Sequence, residues 1–265
     1  MRAGGLIHEG VPLAHCCVLN NSLAALKVII DCGLSLETVT AKCRLTVLQE
    51  AIERELFSIF QLLVTAGANV KVSWPEYAYS RTALHVACQL GNIHMVKVLL
   101  NAGMDVRARD KLNMSPFSVA AQSPIGSNVL QLQIDRCRVD LNERSALLRT
   151  PLHLACAASQ AASVAVLLNA NADIDVRDRN LHTPLMLACW SRFHDGIKKL
   201  LDVVADPNIC SRDGSSPLAV AVRNNDVQAI ELLLGDVRVN IEERSLHLST
   251  PLLLACRFGS LDALR

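Results

Sequence analysis

The chain has 265 residues, 51% of them hydrophobic and 19% charged, with a formal net charge of +1. So even a charge balance gives no footing for nucleic acid or an anionic membrane surface, and neither is expected as a partner. No apolar run approaches the roughly 18 residues that a membrane helix needs, and Met1-Arg2-Ala3-Gly4-Gly5 lacks the apolar core of a secretion signal.

Read in chain order, one short unit keeps returning. It appears at Pro12-Leu13-Ala14-His15-Cys16-Cys17, Thr46-Val47-Leu48-Gln49-Glu50-Ala51, Thr82-Ala83-Leu84-His85-Val86-Ala87 and Ser115-Pro116-Phe117-Ser118-Val119-Ala120. It continues at Thr150-Pro151-Leu152-His153-Leu154-Ala155, Thr183-Pro184-Leu185-Met186-Leu187-Ala188, Ser216-Pro217-Leu218-Ala219-Val220-Ala221 and Thr250-Pro251-Leu252-Leu253-Leu254-Ala255. The starts lie 34, 36, 33, 35, 33, 33 and 34 residues apart. Thr or Ser is a good helix N-cap, because its oxygen accepts from a backbone N–H that has no intrahelical partner. Pro follows at the first helical position, where no N–H is needed. The third and sixth residues of the unit share a helix face.

A second helix follows each unit. Its apolar triplets are Leu26/Ile29/Ile30, Phe60/Leu63/Val64, Val96/Leu99/Leu100, Val164/Leu167/Leu168, Ile197/Leu200/Leu201 and Ile230/Leu233/Leu234. That spacing makes one buried stripe per helix. Gly33, Gly67 and Gly103 then end the helix as C-cap glycines do. Asn171 and Val204 stand in the same place; Asn tolerates a left-handed conformation and Val does not, so the turn at Val204 is expected to differ. One such helix pair cannot bury its own apolar face, whereas stacked pairs can.

A period near 33 with the pattern Thr-Pro-Leu-His-x-Ala resembles the ankyrin repeat, over residues 12–265. The resemblance implies an all-α ankyrin-repeat solenoid of stacked helix-turn-helix units joined by β-hairpin-like fingers. It implies one domain over 1–265, with repeats near 6–42, 43–78, 79–111, 112–146, 147–179, 180–212, 213–246 and 247–265, the last truncated. Leu264 would begin the stripe of a final second helix, so the chain is expected to be a piece of something longer. Repeat four is the weakest: Ser123-Pro124-Ile125-Gly126-Ser127 interrupts its turn and Gln133 takes an aliphatic place. The segment Arg138–Ser145 recurs as Arg238–Ser245; from 138–156 to 238–256, 12 of 19 residues are identical. Duplication of a three-repeat block accounts for that echo; a binding element presented twice is the functional alternative.

Ten cysteines would allow five disulfides, but Cys88, Cys156, Cys189 and Cys256 are one repeat position used four times. Packed helices lie about 8–10 Å apart, farther than a disulfide spans. They read as reduced, buried residues of an intracellular protein, cytoplasmic and also nuclear. No phosphate-binding loop, nucleophile elbow or zinc-protease motif occurs, and no C-x-x-C pair. The chain is therefore expected to be no enzyme and to need no cofactor or metal. His15, His85 and His153 fall at the fourth place of the unit, where the resemblance implies a hydrogen bond from repeat to repeat.

The resemblance also implies partner binding on a concave side made from the finger tips and the ends of the first helices. Trp190, Arg223, Arg257 and Phe258 fall at those helix ends. Arg107, Arg109, Arg177 and Arg179 make fingers basic, with Asp residues interleaved. Trp74, Tyr77 and Tyr79 gather three of the chain's nine aromatics in a long loop of repeat two. Trp, Tyr and Arg dominate interface energies. The expected partner is another protein and the expected state is a monomer. An alternative is the substrate-recognition part of a larger protein, such as a ubiquitin-ligase adaptor of the ankyrin and SOCS-box family.

Overall fold

The computed structural model describes residues 7–8, 11–40, 44–74, 79–243 and 249–258. The chain divides into two compact units, Met1–Phe117 and Ser118–Arg265. In the first, a two-residue ribbon of β1 (Ile7–His8) and β2 (Val11–Pro12) precedes helices α1 (Leu13–Leu19), α2 (Leu23–Asp31), α3 (Val47–Glu53), α4 (Phe57–Thr65), α5 (Ala83–Gln89) and α6 (Ile93–Asn101). Helix α7 (Pro116–Gln122) straddles the division. The second unit holds α8 (Ser127–Arg136), α9 (Pro151–Ala157), α10 (Ala161–Asn169), α11 (Pro184–Trp190), α12 (His194–Asp202), α13 (Pro217–Arg223), α14 (Val227–Leu234) and α15 (Pro251–Phe258).

Each recurring unit becomes a short first helix; α3, α9, α11 and α13 carry the expected Ser or Thr cap, while α1 starts after Pro12 without a side-chain cap. Thr46, Thr150, Thr183 and Ser216 accept from the backbone N–H of Gln49, His153, Met186 and Ala219. Each such cap stabilises a helix by about 1 kcal/mol. Within the second unit α9 packs on α11, α11 on α13 and α13 on α15, while α8, α10, α12 and α14 form the outer row. The close row is possible because Ala155, Ala188 and Ala221 are fully buried and small. In the first unit α1, α3 and α5 pack in the same sequence, with α2, α4 and α6 behind.

Among the described residues the second-helix stripes bury their first two members, as at Phe60 and Leu63, Val96 and Leu99, Val164 and Leu167, and Ile197 and Leu200. The third member is only half-buried, and Leu234 is exposed. The fourth-place side chains tie one repeat to the next. His15, His85 and His153 place Nε2 at 3.0, 2.9 and 3.0 Å from the carbonyls of Leu45, Met114 and His182. Gln49 does the same to the Ser73 carbonyl at 3.1 Å. Ser118 instead donates its hydroxyl to the Glu143 carboxylate.

Several expectations are corrected. Val204 does not take a different turn: its φ is 69°, beside 63° at Asn171 and 76° at Gly103. Its N–H donates to Leu201, and that of Ala205 to Leu200, just as Gly103 and Met104 donate to Leu100 and Leu99. The local turn, closed by these two backbone bonds, holds the left-handed geometry although a β-branched residue resists it. Cys88, Cys156 and Cys189 are buried, but Cys256 is exposed. The cysteines among the described residues form no disulfide. In the first copy of the repeated Glu-Arg-Ser, Glu143 and Ser145 are buried while Arg144 is exposed. In the second copy Arg244 and Ser245 lie outside the described residues, as do Leu264 and Arg265.

Repeat four departs from the others as its sequence implies. Helix α8 ends on Cys137 in an extended conformation, without a left-handed cap. Gly126 is required there by close approach: a Cβ at this place would lie 2.0 Å from the Ala120 carbonyl oxygen. Gln133 is fully buried, and neither atom of its amide has a hydrogen-bond partner among the described residues. The fingers are built by side-chain-capped turns more than by strands. Asp178 Oδ1 accepts the N–H of Asn180 and of His182; Ser211 Oγ accepts that of Ser215. Isolated bridges join Val39 to Thr46 and Ser73 to Thr82.

Candidate protein-interaction site

Trp190 closes α11, and Arg223 occupies the corresponding last position of α13 one repeat on. Trp190 is 43% exposed, and the Arg223 guanidinium carbon lies 4.4 Å from the centre of its indole ring. Such a cation–π stack at an exposed site contributes about 0.5–1 kcal/mol. It also holds both side chains in one arrangement at the helix ends. Two further bonds brace the helix ends beneath: Ser191 Oγ donates to Ala157 O at 2.9 Å and Asn224 Nδ2 to Cys189 O at 3.2 Å.

Arg223 also reaches toward the finger. Its Nη1 lies 3.8 Å from Asp213 Oδ2. Burial acts to raise the Asp213 pKa, but the Ser211 hydroxyl and the Ser215 N–H hold it below the usual carboxylate value. Asp213, Arg212, Asn180 and His182 line a recess of about 340 Å³. The stack, the ion pair and the recess are thus contiguous. Spacing alone gives Trp190 and Arg223 as neighbours, but not Asp213 or His182, which reach the site through finger turns that the helix pattern does not fix.

The finger arginines are placed rather than loose. Arg177 Nη2 donates to Cys210 O at 2.9 Å, Arg212 Nη2 to Arg179 O at 2.7 Å and Arg144 Nη1 to Arg177 O at 3.3 Å. Arg177 and Arg179 are exposed. In the first unit Arg107 and Arg109 are exposed on their own finger, and Arg109 Nη1 donates to Asn113 O at 3.4 Å. Arg257 is exposed on α15; the Phe258 side chain and all of Tyr77 lie outside what is described.

The aromatic loop of repeat two divides in two. Trp74 is not a surface anchor: it is 3% exposed and donates its indole N–H to Glu53 Oε1 at 2.6 Å. Tyr79 is 46% exposed, with the Arg81 guanidinium 5.5 Å from its ring. Arg81 is otherwise engaged by Asp110 at 3.2 Å and Gln89 at 2.5 Å.

Among the described residues no group of three His, Cys, Asp or Glu side chains could hold a metal ion. Burial pushes the Cys156 and Cys189 thiols far up, which makes them poor nucleophiles. No helix of the described residues is long and apolar enough to cross a membrane.

Stacked, capped helix pairs locked together by a fourth-place side chain define an ankyrin-repeat protein. The chain belongs to that family: the family described as "Ankyrin repeats (3 copies)" matches residues 13–110, 117–209 and 193–265. Ankyrin repeats are protein–protein interaction modules. The crystal structure of the ankyrin repeat domain of Bcl-3, titled a unique member of the IkappaB protein family, superposes with a TM-score of 0.68. That likeness covers 86% of this chain and 100% of the Bcl-3 chain at 24% identity, which speaks for the fold. A Danio rerio protein whose name assigns it, provisionally, as palmitoyltransferase ZDHHC13 is 29% identical over 165 residues, 62% of this chain and 25% of that protein. Notch-regulated ankyrin repeat-containing protein B of Danio rerio is 33% identical over 87 residues, 31% of this chain and 76% of that protein. The E3 ubiquitin-protein ligase KEG of Arabidopsis thaliana is 32% identical over 81 residues, 31% of this chain and 5% of its own length. The chain therefore spans a quarter or less of the palmitoyltransferase and the ligase.

Proposed function

We propose that the chain is a non-catalytic protein-binding module and that its Ser118–Arg265 unit engages a partner through the ends of its first helices and its finger tips. The observation that carries this reading is the exposed Trp190 with Arg223 stacked on it at 4.4 Å. A large ring held at a solvent-facing helix end is costly to leave in water and favourable to cover, and such residues act as interface anchors. Arg177, Arg179 and Arg257 flank it as polar rim. In the other unit Tyr79, Arg107 and Arg109 are the candidates. The module works as a monomer, without cofactor, in the cytoplasm and nucleus.

The test is affinity purification with mass spectrometry from cells expressing the wild-type chain or a Trp190→Ala/Arg223→Ala variant of equal helicity and melting temperature. Partners that are retained by wild type and lost by the variant support the reading. Partners retained equally by both contradict the assigned surface.

A second reading makes the chain the recognition part of a larger machine, such as an ankyrin and SOCS-box ligase adaptor. It is favoured by relatives with enzyme names that share only 25% and 5% of their length with this chain. Sequencing the transcript past the Arg265 codon tests it: an in-frame adaptor box supports it, and an immediate stop codon removes it.

A further inference from the structure

The charges around Trp190 are unequal in kind as well as in sign. The basic groups face solvent: Arg179 and Arg212 are exposed, and Arg223 is partly so. Arg212 is tied by Nη2 to Arg179 O. A guanidinium has five N–H donors, so this bond orients Arg212 and leaves other donors for a ligand. The acidic groups are mostly consumed. Asp178 is buried and holds Arg149 at 3.2 Å together with the N–H groups of Asn180 and His182. Asp213 is the exception: its side chain is 56% exposed and faces the recess of about 340 Å³ that it shares with Arg212, Asn180 and His182.

We propose that this recess and the adjoining Trp190–Arg223 stack dock an acidic segment of a partner protein. One carboxylate of that segment takes the place Asp213 holds against Arg223, and an apolar neighbour lies against the indole. The inference rests on the reading above that this face binds protein, and it adds the partner's chemistry.

Three observations favour this occupant. The Asp213–Arg223 contact is 3.8 Å long and solvent-exposed, so it contributes little and is readily exchanged. An incoming carboxylate can form the paired N–H···O bonds for which guanidinium is shaped. Asp213 loses little on displacement, since Ser211 Oγ donates to it and the Ser215 N–H lies 3.2 Å from its Oδ1. Asp213 thus occupies, weakly, the place beside Arg223 that an incoming carboxylate would take. A nucleic acid is the poorer fit: net charge is only +1, whereas phosphate backbones are bound by concentrated positive charge.

The test uses the full chain and fluorescence anisotropy. The probe is a fluorescein-labelled peptide of three repeats of Gly-Asp-Glu-Leu. Its controls are the Gly-Asn-Gln-Leu counterpart and an oligothymidine of equal charge. The acidic peptide should bind, and Arg223→Gln and Trp190→Ala should each weaken it about tenfold. Asp213→Asn should tighten it several-fold by removing the competing carboxylate. That opposite sign separates a binding role from general damage to the fold. Equal binding of the amide peptide, equal variant-sensitive binding of oligothymidine, or an Asp213→Asn variant no tighter than wild type would overturn the proposal. Loss of cellular partners by the Trp190/Arg223 variant without any binding of the acidic peptide leaves the interaction reading standing and rejects the acidic partner. Capture unchanged by that variant rejects both.

Discussion

The indole N–H of Trp74 donates to the Glu53 carboxylate at 2.6 Å, across 21 residues of sequence. The bond draws the end of the repeat-two loop back against the last turn of α3, and the Trp74 N–H and the Arg81 carbonyl pair beneath it at 2.7 Å. Removing the acceptor strands a buried donor. Glu53→Ala is expected to destabilise the protein by about 1–2 kcal/mol. In a Trp190→Phe background, where Trp74 is the remaining tryptophan, its emission should shift to the red. Urea unfolding and fluorescence check this together, and unchanged emission would mean that the ring does not depend on Glu53.

Val204 and Asn171 hold one backbone geometry with unequal ease. Their φ values of 69° and 63° are left-handed, and Val204 is 69% exposed, so its side chain gains little there from packing. Left-handed backbone costs about 1–2 kcal/mol for an ordinary residue, and Asn escapes part of it. Val204→Asn should therefore stabilise by about 1 kcal/mol, and Asn171→Val should destabilise by a similar amount. Thermal melts of the two variants give the answer. Two shifts of the same sign would show that something other than backbone conformation sets the cost.

The helix half of the molecule is legible in the sequence because it is specified locally. Thr150 before Pro151, the Val164/Leu167 pair and Gly103 after its helix each state their role within a few residues, and the structure uses them so. The fourth-place His is legible only through the family resemblance, since its acceptor lies about one repeat away. What the sequence conceals is decided across repeats by packing. Trp74 looks like a surface aromatic because its acceptor lies in another element. Val204 is forced into a glycine conformation by the turn around it. At the candidate site Trp190 and Arg223 are legible as register partners, while Asp213 joins them only through the geometry of a finger.

Gln133 tests the account of repeat four. Its amide is fully buried without a partner among the described residues, in the outer row where α8 packs on α10. An unsatisfied buried polar group costs about 1–3 kcal/mol. Gln133→Leu should recover much of that, since Leu is similar in volume and leaves nothing to satisfy. The gain should appear as slower amide exchange in α8 and its neighbours, which otherwise exchange sooner than α9 and α10. Equal exchange across these helices in the wild type would remove repeat four as the weak link.

His153 ties stability to pH. Its Nε2 meets the His182 carbonyl at 3.0 Å, and its Nδ1 meets the Thr150 N–H at 3.2 Å and the Thr150 hydroxyl at 2.8 Å. Nε2 therefore carries the proton and Nδ1 accepts. A second proton on Nδ1 would face the backbone donor in a fully buried site. Burial is the main cause that lowers its pKa from 6.5 to about 4, and the His182 carbonyl opposes it only in part. Burial also lowers His85 and His15. A pKa depressed in the folded state means that the unfolded chain binds the proton first. The contribution of His153 is thus complete above about pH 6.5 and is lost as pH falls toward about 4, by up to about 3 kcal/mol. Urea midpoints measured from pH 7 to pH 4 should fall along this window in the wild type. His153→Gln, which keeps a neutral donor and acceptor as Gln49 does toward Ser73, should be less stable at pH 7 but flatter over the same range. A variant with the wild-type slope would place the titrating group elsewhere, with His85 the next to replace.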